Sequence, residues 1–330
     1  MDLMLNFTAP KCDRHITHHH KILSIGSCFT EHIGNALKDY KFNVLQNPNG
    51  ILFDPVSVCH SLTSYIYNQQ YEEKDFFQLN ELWHSWHHHS RFSHTDLQTA
   101  ITNINHSQEE AHRFLKEADW LIVTLGSSFS YRLVNENFAP VANCHRAPAQ
   151  WFKKHLLGID EMIASLDNAI HQVFHFNPKV NIIFTISPVR HIRDGVVDNN
   201  RSKARLIEVV HHLVNKFNRL YYFPSYEIVI DVLRDYRFYD IDLVHPNYLA
   251  TETVLQQFLQ AYISPETNAL LKELKSISIA RRHRSAHPHT EAHQKFMQSH
   301  LQKVQQLQQQ HPHLDLSEEI GYFGNAKMKK

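Results

Sequence analysis

Lys21-Ile22-Leu23-Ser24-Ile25-Gly26-Ser27-Cys28-Phe29 is the stretch that decides the fold. An apolar run ends in one glycine and one serine. It then passes into residues 30–39, where Ile33, Ala36 and Leu37 fall at helical spacing. A run apolar on both faces fits a parallel strand covered on both sides, so Ser27 sits on the turn between strand and helix. Four further runs have the same character, at residues 42–46, 120–125, 180–186 and 227–232. Helical patterns fall between or after them, at residues 160–174, 201–217 and 247–262. Strands alternating with helices predict an α/β protein with a parallel sheet.

The span between the second and third runs is long, and about 55–118 reads as an insertion over the sheet's active edge. It holds a possible helix at 57–67 and the aromatic–histidine stretch Leu82-Trp83-His84-Ser85-Trp86-His87-His88-His89. Ser107 followed three residues later by Glu110 has the spacing of a capping box and predicts a helix start. Residues 1–264 form the main domain in this reading, and 265–330 a helical C-terminal extension. That extension has a helix at 268–279, a linker at 280–289, a glutamine-rich helix at 291–310 and a frayed end at 326–330.

Composition narrows the function classes. The 330 residues carry 33 basic and 33 acidic side chains, and no basic block suggests a nucleic-acid footprint. Eight glycines argue against a glycine-rich phosphate cradle. The four cysteines, Cys12, Cys28, Cys59 and Cys144, match no zinc ribbon or redox pair. No apolar stretch is long enough for a membrane span, and the first residues do not have a secretory pattern. A soluble, cytoplasmic, bacterial-type protein is the expectation. The 28 histidines read as surface composition. Were they all exposed, they would add roughly +20 of charge at pH 6.

In parallel sheets, ligands bind beyond the carboxyl ends of the strands. Ser27, Gly50, Gly126, Pro188 and the loop Asp242-Leu243-Val244-His245-Pro246-Asn247 all fall at such ends. Ser27, His245 and Asp242 supply a nucleophile, a general base and the acid that orients it. As a competing reading, Ser27 merely caps the helix. Cys28, a second possible nucleophile, should point away into the core. Gly50 can offer its N–H to an oxyanion or simply serve a turn. Asn143 is another candidate donor, and His145, Arg146, Arg190 and His191 are candidates for substrate binding. His84, His87, His88 and His89 would share a face if helical, which keeps a metal site as an alternative.

Together these segments resemble the GSCFA family, a branch of the SGNH (GDSL-like) hydrolases. The naming motif stands here as Gly26-Ser27-Cys28-Phe29-Thr30, with threonine in place of alanine. Similar too are Thr124-Leu125-Gly126, Ala142-Asn143-Cys144-His145, Ser187-Pro188-Val189-Arg190-His191, Tyr222-Phe223-Pro224-Ser225-Tyr226-Glu227, Leu233-Arg234-Asp235-Tyr236-Arg237-Phe238-Tyr239 and the D-x-x-H-P block at 242–246. The resemblance implies a three-layer α/β/α flavodoxin-like fold. It also implies ester hydrolysis by Ser27, His245 and Asp242 on a small-molecule or carbohydrate ester, with no cofactor. It matches Gly50 to an oxyanion donor. The superfamily's G-x-N-D is absent, since Gly126-Ser127-Ser128-Phe129 stands there. Asn143, Ser127 or Ser128 is then the third donor. A metal-dependent hydrolase, or a binding module without turnover that holds an acidic ligand near Arg146 and Arg190, are the rival readings.

Overall fold

A computed structural model describes residues 5–283 and 285–324, apart from the side chain of Asp194. The chain begins with β1 (Lys21–Gly26), α1 (Cys28–Asp39), β2 (Asn43–Gln46) and α2 (Pro55–Ile66). A hairpin of β3 (Phe77–Leu79) and β4 (Leu82–His84) follows, then α3 (Leu97–Glu117) and β5 (Trp120–Leu125). Next come β6 (Phe129–Leu133), β7 (Pro140–Val141), β8 (Phe152–Leu156), α4 (Ile159–Phe176), β9 (Asn181–Ile186), α5 (Val196–Lys216) and β10 (Leu220–Phe223). The remainder is helical: α6 (Ser225–Glu227) running into a π-helical turn (Ile228–Val232), then α7 (Tyr248–Tyr262), α8 (Pro265–Arg282), α9 (Glu291–Gln310) and α10 (Ser317–Gly324).

The main sheet is wholly parallel, in the order β10-β9-β5-β1-β2. Its side chains alternate between two cores. Ile22, Trp120, Ile122 and Ile183 face α1 and α7, whereas Leu23, Leu121, Val123, Ile182 and Phe184 face α2, α3, α4 and α5. This is the expected three-layer α/β/α arrangement, and its strand order reverses between β1 and β5. Ser27 and Gly126 follow those two strands.

Two sequence-based expectations are corrected. The fifth strand is β10, not residues 227–232. Pro224 ends β10, its carbonyl accepts the Ile228 N–H at 3.0 Å, and the β-branched run coils into a π-helical turn closed by Leu233 N–H on Ile228 O at 2.9 Å. The helix expected at Ser107 begins ten residues earlier, because Asp96 accepts the Thr99 N–H as N-cap. Ser107 lies mid-helix and donates to Pro48 O at 2.9 Å.

The segment 55–118 is also less of an insertion than expected. Val58, Leu62 and Tyr65 of α2 and Ala111 and Leu115 of α3 are core residues. The antiparallel sheet β7-β6-β8 was not anticipated. The helical extension shares one core with α1: Leu270, Leu274, Ile277, Val304 and Phe323 cluster with Ile33, Leu37, Tyr40 and Phe42. The expected linker at 280–289 begins with the last turn of α8, and 326–330 lies outside the described residues. Among the described residues no helix is long and apolar enough to cross a membrane.

Several histidines are core residues rather than surface ones. His18 stacks on Phe42 at 4.3 Å and its Nε2 meets Tyr40 O at 2.8 Å. Burial lowers its pKa to about 4, that of His145 to about 4 and that of His87 to about 3, and it pushes His88 well below the ordinary value. The unfolded chain therefore takes up protons at these sites that the folded chain refuses between about pH 6.5 and 4. Stability must fall on acidification through that window. The guanidinium midpoint should drop between pH 6.5 and 4, less steeply in His145→Gln, and a flat midpoint would contradict the buried neutral imidazoles.

Gly26 is fixed by geometry. Its φ is +136°, and a Cβ there would lie 2.1 Å from Thr124 O. Gly26→Ala should cost about 3 kcal/mol or more in denaturant unfolding. A loss under about 1 kcal/mol would show that β1 and β5 can part there.

Candidate functional site at the switch point

The loops after β1, β2 and β5 are laced together by backbone hydrogen bonds. Ser27 N–H donates to Thr124 O (3.1 Å), Leu52 N–H to Gly26 O (2.9 Å), and the N–H groups of Gly126 and Ser127 both reach Phe53 O (2.8 and 3.0 Å). Asn47, itself buried, accepts the Gly26 N–H on its side-chain oxygen at 2.9 Å. The crevice at the strand-order reversal is the usual ligand position in such sheets.

Ser27 occupies the N-cap position of α1, yet its side chain makes no capping bond. Its hydroxyl is buried without a hydrogen-bond partner. The capping alternative thus fails on geometry. Gly126 abuts this side chain: a Cβ placed there would lie 3.3 Å from Ser27 Cβ and 3.2 Å from the Phe53 ring. Phe53 in turn meets His191 edge-on, with centroids 5.5 Å apart. Cys28 packs against the core beneath α1, and burial raises its thiol pKa.

Asp242 and His245 form a ready pair. One carboxylate oxygen accepts the N–H groups of Val244 and His245 (2.9 and 3.0 Å), and the other meets His245 Nδ1 at 2.6 Å. The His245 N–H, its imidazole and the Val244 N–H hold the Asp242 carboxyl down at about 2. With Nδ1 engaged, Nε2 is the nitrogen left for a proton transfer. Leu243 takes a left-handed φ of +59° in the same turn. Arg190 links this loop to the end of β9: its N–H reaches Val244 O (3.3 Å), Nη1 reaches Leu243 O (3.4 Å), and its guanidinium lies 4.2 Å from the Tyr239 ring centroid. No hydrogen bond joins Ser27 Oγ to His245.

The GSCFA family profile matches residues 21–258, and a second profile, GSCFA domain protein, C-terminal domain, matches residues 274–326. The chain belongs to the GSCFA family. Comparison with curated proteins returns no match. Among solved structures, the chain is similar to a family 3 carbohydrate esterase from Clostridium thermocellum: 11% identity, 77% of this chain, 98% of that one, TM-score 0.36. It is also similar to a carbohydrate esterase family 3 from Talaromyces cellulolyticus: 10% identity, 77% of this chain, 99% of that one, TM-score 0.37.

Other expected site residues of this GSCFA chain do other work. The Gly50 N–H is spent on Asn47 O at 2.7 Å, and Gly50 is required because a Cβ there would strike the His89 side chain at 2.1 Å. The Ser128 N–H donates to Ser202 Oγ at 2.7 Å, and Ser127 Oγ accepts the Phe129 N–H at 3.0 Å. These amides, with that of Ser127, are not free for an oxyanion. Asn143 accepts the His145 N–H in a local turn (2.8 Å), and its own N–H goes to Trp86 O. His145 is buried, with Nε2 on Ser85 O (2.8 Å) and its ring beside Phe77 and His84. That loop is bound to the β3–β4 hairpin and leaves Arg146 exposed on a turn.

The stretch considered for a metal is not a helix. His84 ends β4 and contacts Ser93 Oγ and Leu79 O, His88 contacts Ser85 Oγ, and His87 stacks on His60. Among the described residues, no three His, Cys, Asp or Glu side chains cluster to hold an ion.

Lys203 was missed. It is 1% exposed, and Nζ donates to Gly126 O and Ser187 O, each at 2.6 Å. The signal was available, since Lys203 shares the i, i+3, i+7 stripe with Leu206 and Val210, a buried face on which a lysine needs a reason.

Because Asp242's folded pKa is depressed, its hydrogen bonds persist above the ordinary carboxylate range and are lost as pH falls through about 2. Asp242→Ala should speed hydrogen exchange at the Val244 and His245 amides by about tenfold or more while the β1 amides stay protected. Unchanged exchange would remove the carboxylate from that turn.

Proposed function

We propose that this protein is a serine hydrolase of ester bonds, deacylating a small acyl group from a carbohydrate or similarly polar alcohol. The observation that carries the reading is the Ser27 hydroxyl. It is buried at a helix N-terminus without capping that helix, unpartnered, and on the same sheet edge as a preformed Asp242–His245 pair. A serine placed as an ordinary cap would have spent its oxygen on the backbone.

The chemistry follows from these groups. His245 Nε2 takes the Ser27 proton as Oγ attacks the acyl carbon, and Asp242 holds the imidazole through Nδ1 and stabilises its charged form. His245 then returns the proton to the leaving alcohol, and water attacks the acyl-enzyme with His245 again as base. Catalytic hydrogen bonds often tighten only when substrate is bound, and both side chains of the Asp242–His245 pair are about half exposed. For the oxyanion, the N-terminal end of α1 offers the positive end of its helix dipole beside Ser27.

A second reading, a ligand-binding module without turnover, draws on the engaged amides of Ser27, Gly50, Ser127 and Ser128. One assay separates the two. Purified protein should hydrolyse p-nitrophenyl acetate, and Ser27→Ala should lower kcat by about 10³-fold or more with the fold intact by circular dichroism. EDTA should leave the rate unchanged. Activity that survives Ser27→Ala removes the nucleophile, and inactivity of the wild type toward a panel of acyl esters favours the binding module.

A further inference from the structure

Outside the Ser27, His245 and Asp242 set, the buried group with the least structural excuse is Lys203. It projects from α5 into the space between the ends of β5 and β9, where its two acceptors are the carbonyls of Gly126 and Ser187. Among the described residues no carboxylate pairs with it. Among the described residues the titratable groups that face it are Cys28 from α1 and Tyr226 from the turn after β10, whose ring centroid lies 5.9 Å from Nζ. Burying an ammonium without a counter-ion is costly, and an apolar side chain of similar length would fill the same space at lower cost.

The two carbonyl acceptors fit either charge state of the amine. A neutral amine has two N–H donors, which the two carbonyls fully use. An ammonium keeps a third proton that neither carbonyl takes. Burial lowers the Lys203 pKa from 10.5 to about 7, so both forms are accessible near neutrality. Gly126 is also the residue that abuts Ser27, so the amine is one residue removed from the proposed nucleophile.

We propose that Lys203 is a positioning residue of the Ser27 site: its ammonium clamps the loops after β5 and β9 and supplies positive charge that the engaged amides of Ser27, Gly50, Ser127 and Ser128 do not. The inference rests on the ester-hydrolysis reading, because negative charge develops beside Ser27 only in that chemistry. It goes beyond that reading by giving the site a titratable group on α5 outside the Ser27, His245 and Asp242 set, a fully buried amine held by two carbonyls that sheds its charge on the alkaline side.

The test measures p-nitrophenyl acetate hydrolysis from pH 5.5 to 9 in wild type and Lys203→Met, alongside NMR of ¹³Cε-lysine-labelled protein. One lysine signal should titrate near neutrality in wild type and be missing from Lys203→Met. The variant should lose about 10–100-fold in kcat with KM within about threefold. It should also lose an alkaline decline in kcat whose midpoint coincides with the NMR titration. A folded Lys203→Met with wild-type kcat and pH profile overturns the role, as does a spectrum with every lysine titrating above about pH 9. If Lys203→Met does not fold, wild type decides, because a lysine midpoint without a matching inflection in kcat overturns it. Wild-type protein inactive on esters would instead overturn the hydrolase reading, and the inference with it.

Discussion

The Ser27 N–H on the Thr124 carbonyl is the contact on which the rest of this site depends. It exists because Gly26 takes a φ of +136° and brings the end of β1 against β5 more closely than any side chain would allow. Once β1 is held there, α1 must start at Cys28, and the Ser27 hydroxyl is left at the point where the strand order reverses. The loop after β2 then crosses over both strand ends, giving its Asn47 side chain to Gly26 and its Phe53 carbonyl to Gly126 and Ser127. A parallel sheet can leave its carboxyl-end amides to solvent or ligand. This one uses most of them to tie its own loops together.

That lacing carries a chemical cost. Each amide spent on a loop carbonyl is one that a developing oxyanion cannot use, and such donors contribute heavily to acyl-transfer catalysis. In the proposed chemistry the positive groups near Ser27 are then the N-terminal end of the α1 dipole and the buried amine of Lys203. Both are fixed by the same framework, the first by the start of α1 and the second by the carbonyls at the ends of β5 and β9. In the proposed chemistry, rigidity at the strand ends and electrostatic support are therefore two results of one arrangement. The Asp242–His245 loop differs: it is half-exposed, and besides its own turn it is held by Arg190 and by the segment before it, through Asp240 N–H on His245 O and Asn247 N–H on Phe238 O.

The fold was legible where burial is symmetrical. Residues 21–25, 120–125 and 180–186 are apolar on both faces because helices cover both, and a parallel central strand has few other solutions. Residues 227–232 look the same in sequence but are buried as a helical turn, since Pro224 removes a ladder donor and its carbonyl starts a new coil. Leu220–Phe223, the true edge strand, is short and aromatic, and its half-buried tyrosines hide the pattern. At the site, the place of Ser27 at the end of β1 was legible, while the Asp242–His245 pair follows a π-helical turn rather than the expected strand and was legible only from its D-x-x-H spacing. The donors were not, because whether an N–H is free depends on which distant carbonyl reaches it. Spacing carries no information on that. Nor does composition reveal that His18, His88 and His145 serve as flat neutral packing groups, a role set by tertiary neighbours such as Phe42, Tyr71 and Phe77.

The C-terminal helices act on the site from the opposite end of α1. Ile33 and Leu37 face the core while Tyr40 closes its last turn, and all three share a cluster with Leu270, Leu274, Ile277 and Val304. Lys41, just past α1, pairs with Glu319 at 2.7 Å, both side chains largely buried, and Asp39 pairs with Arg282. A helix held by the sheet on one side and by α8 and α10 at its far end has little freedom to tilt. Tilting it would move its N-terminus, and with it Ser27, by a distance that grows with the length of the helix. The extension is therefore part of what sets the position of Ser27: its helices pack on the far end of α1 and fix the axis at whose start Ser27 stands.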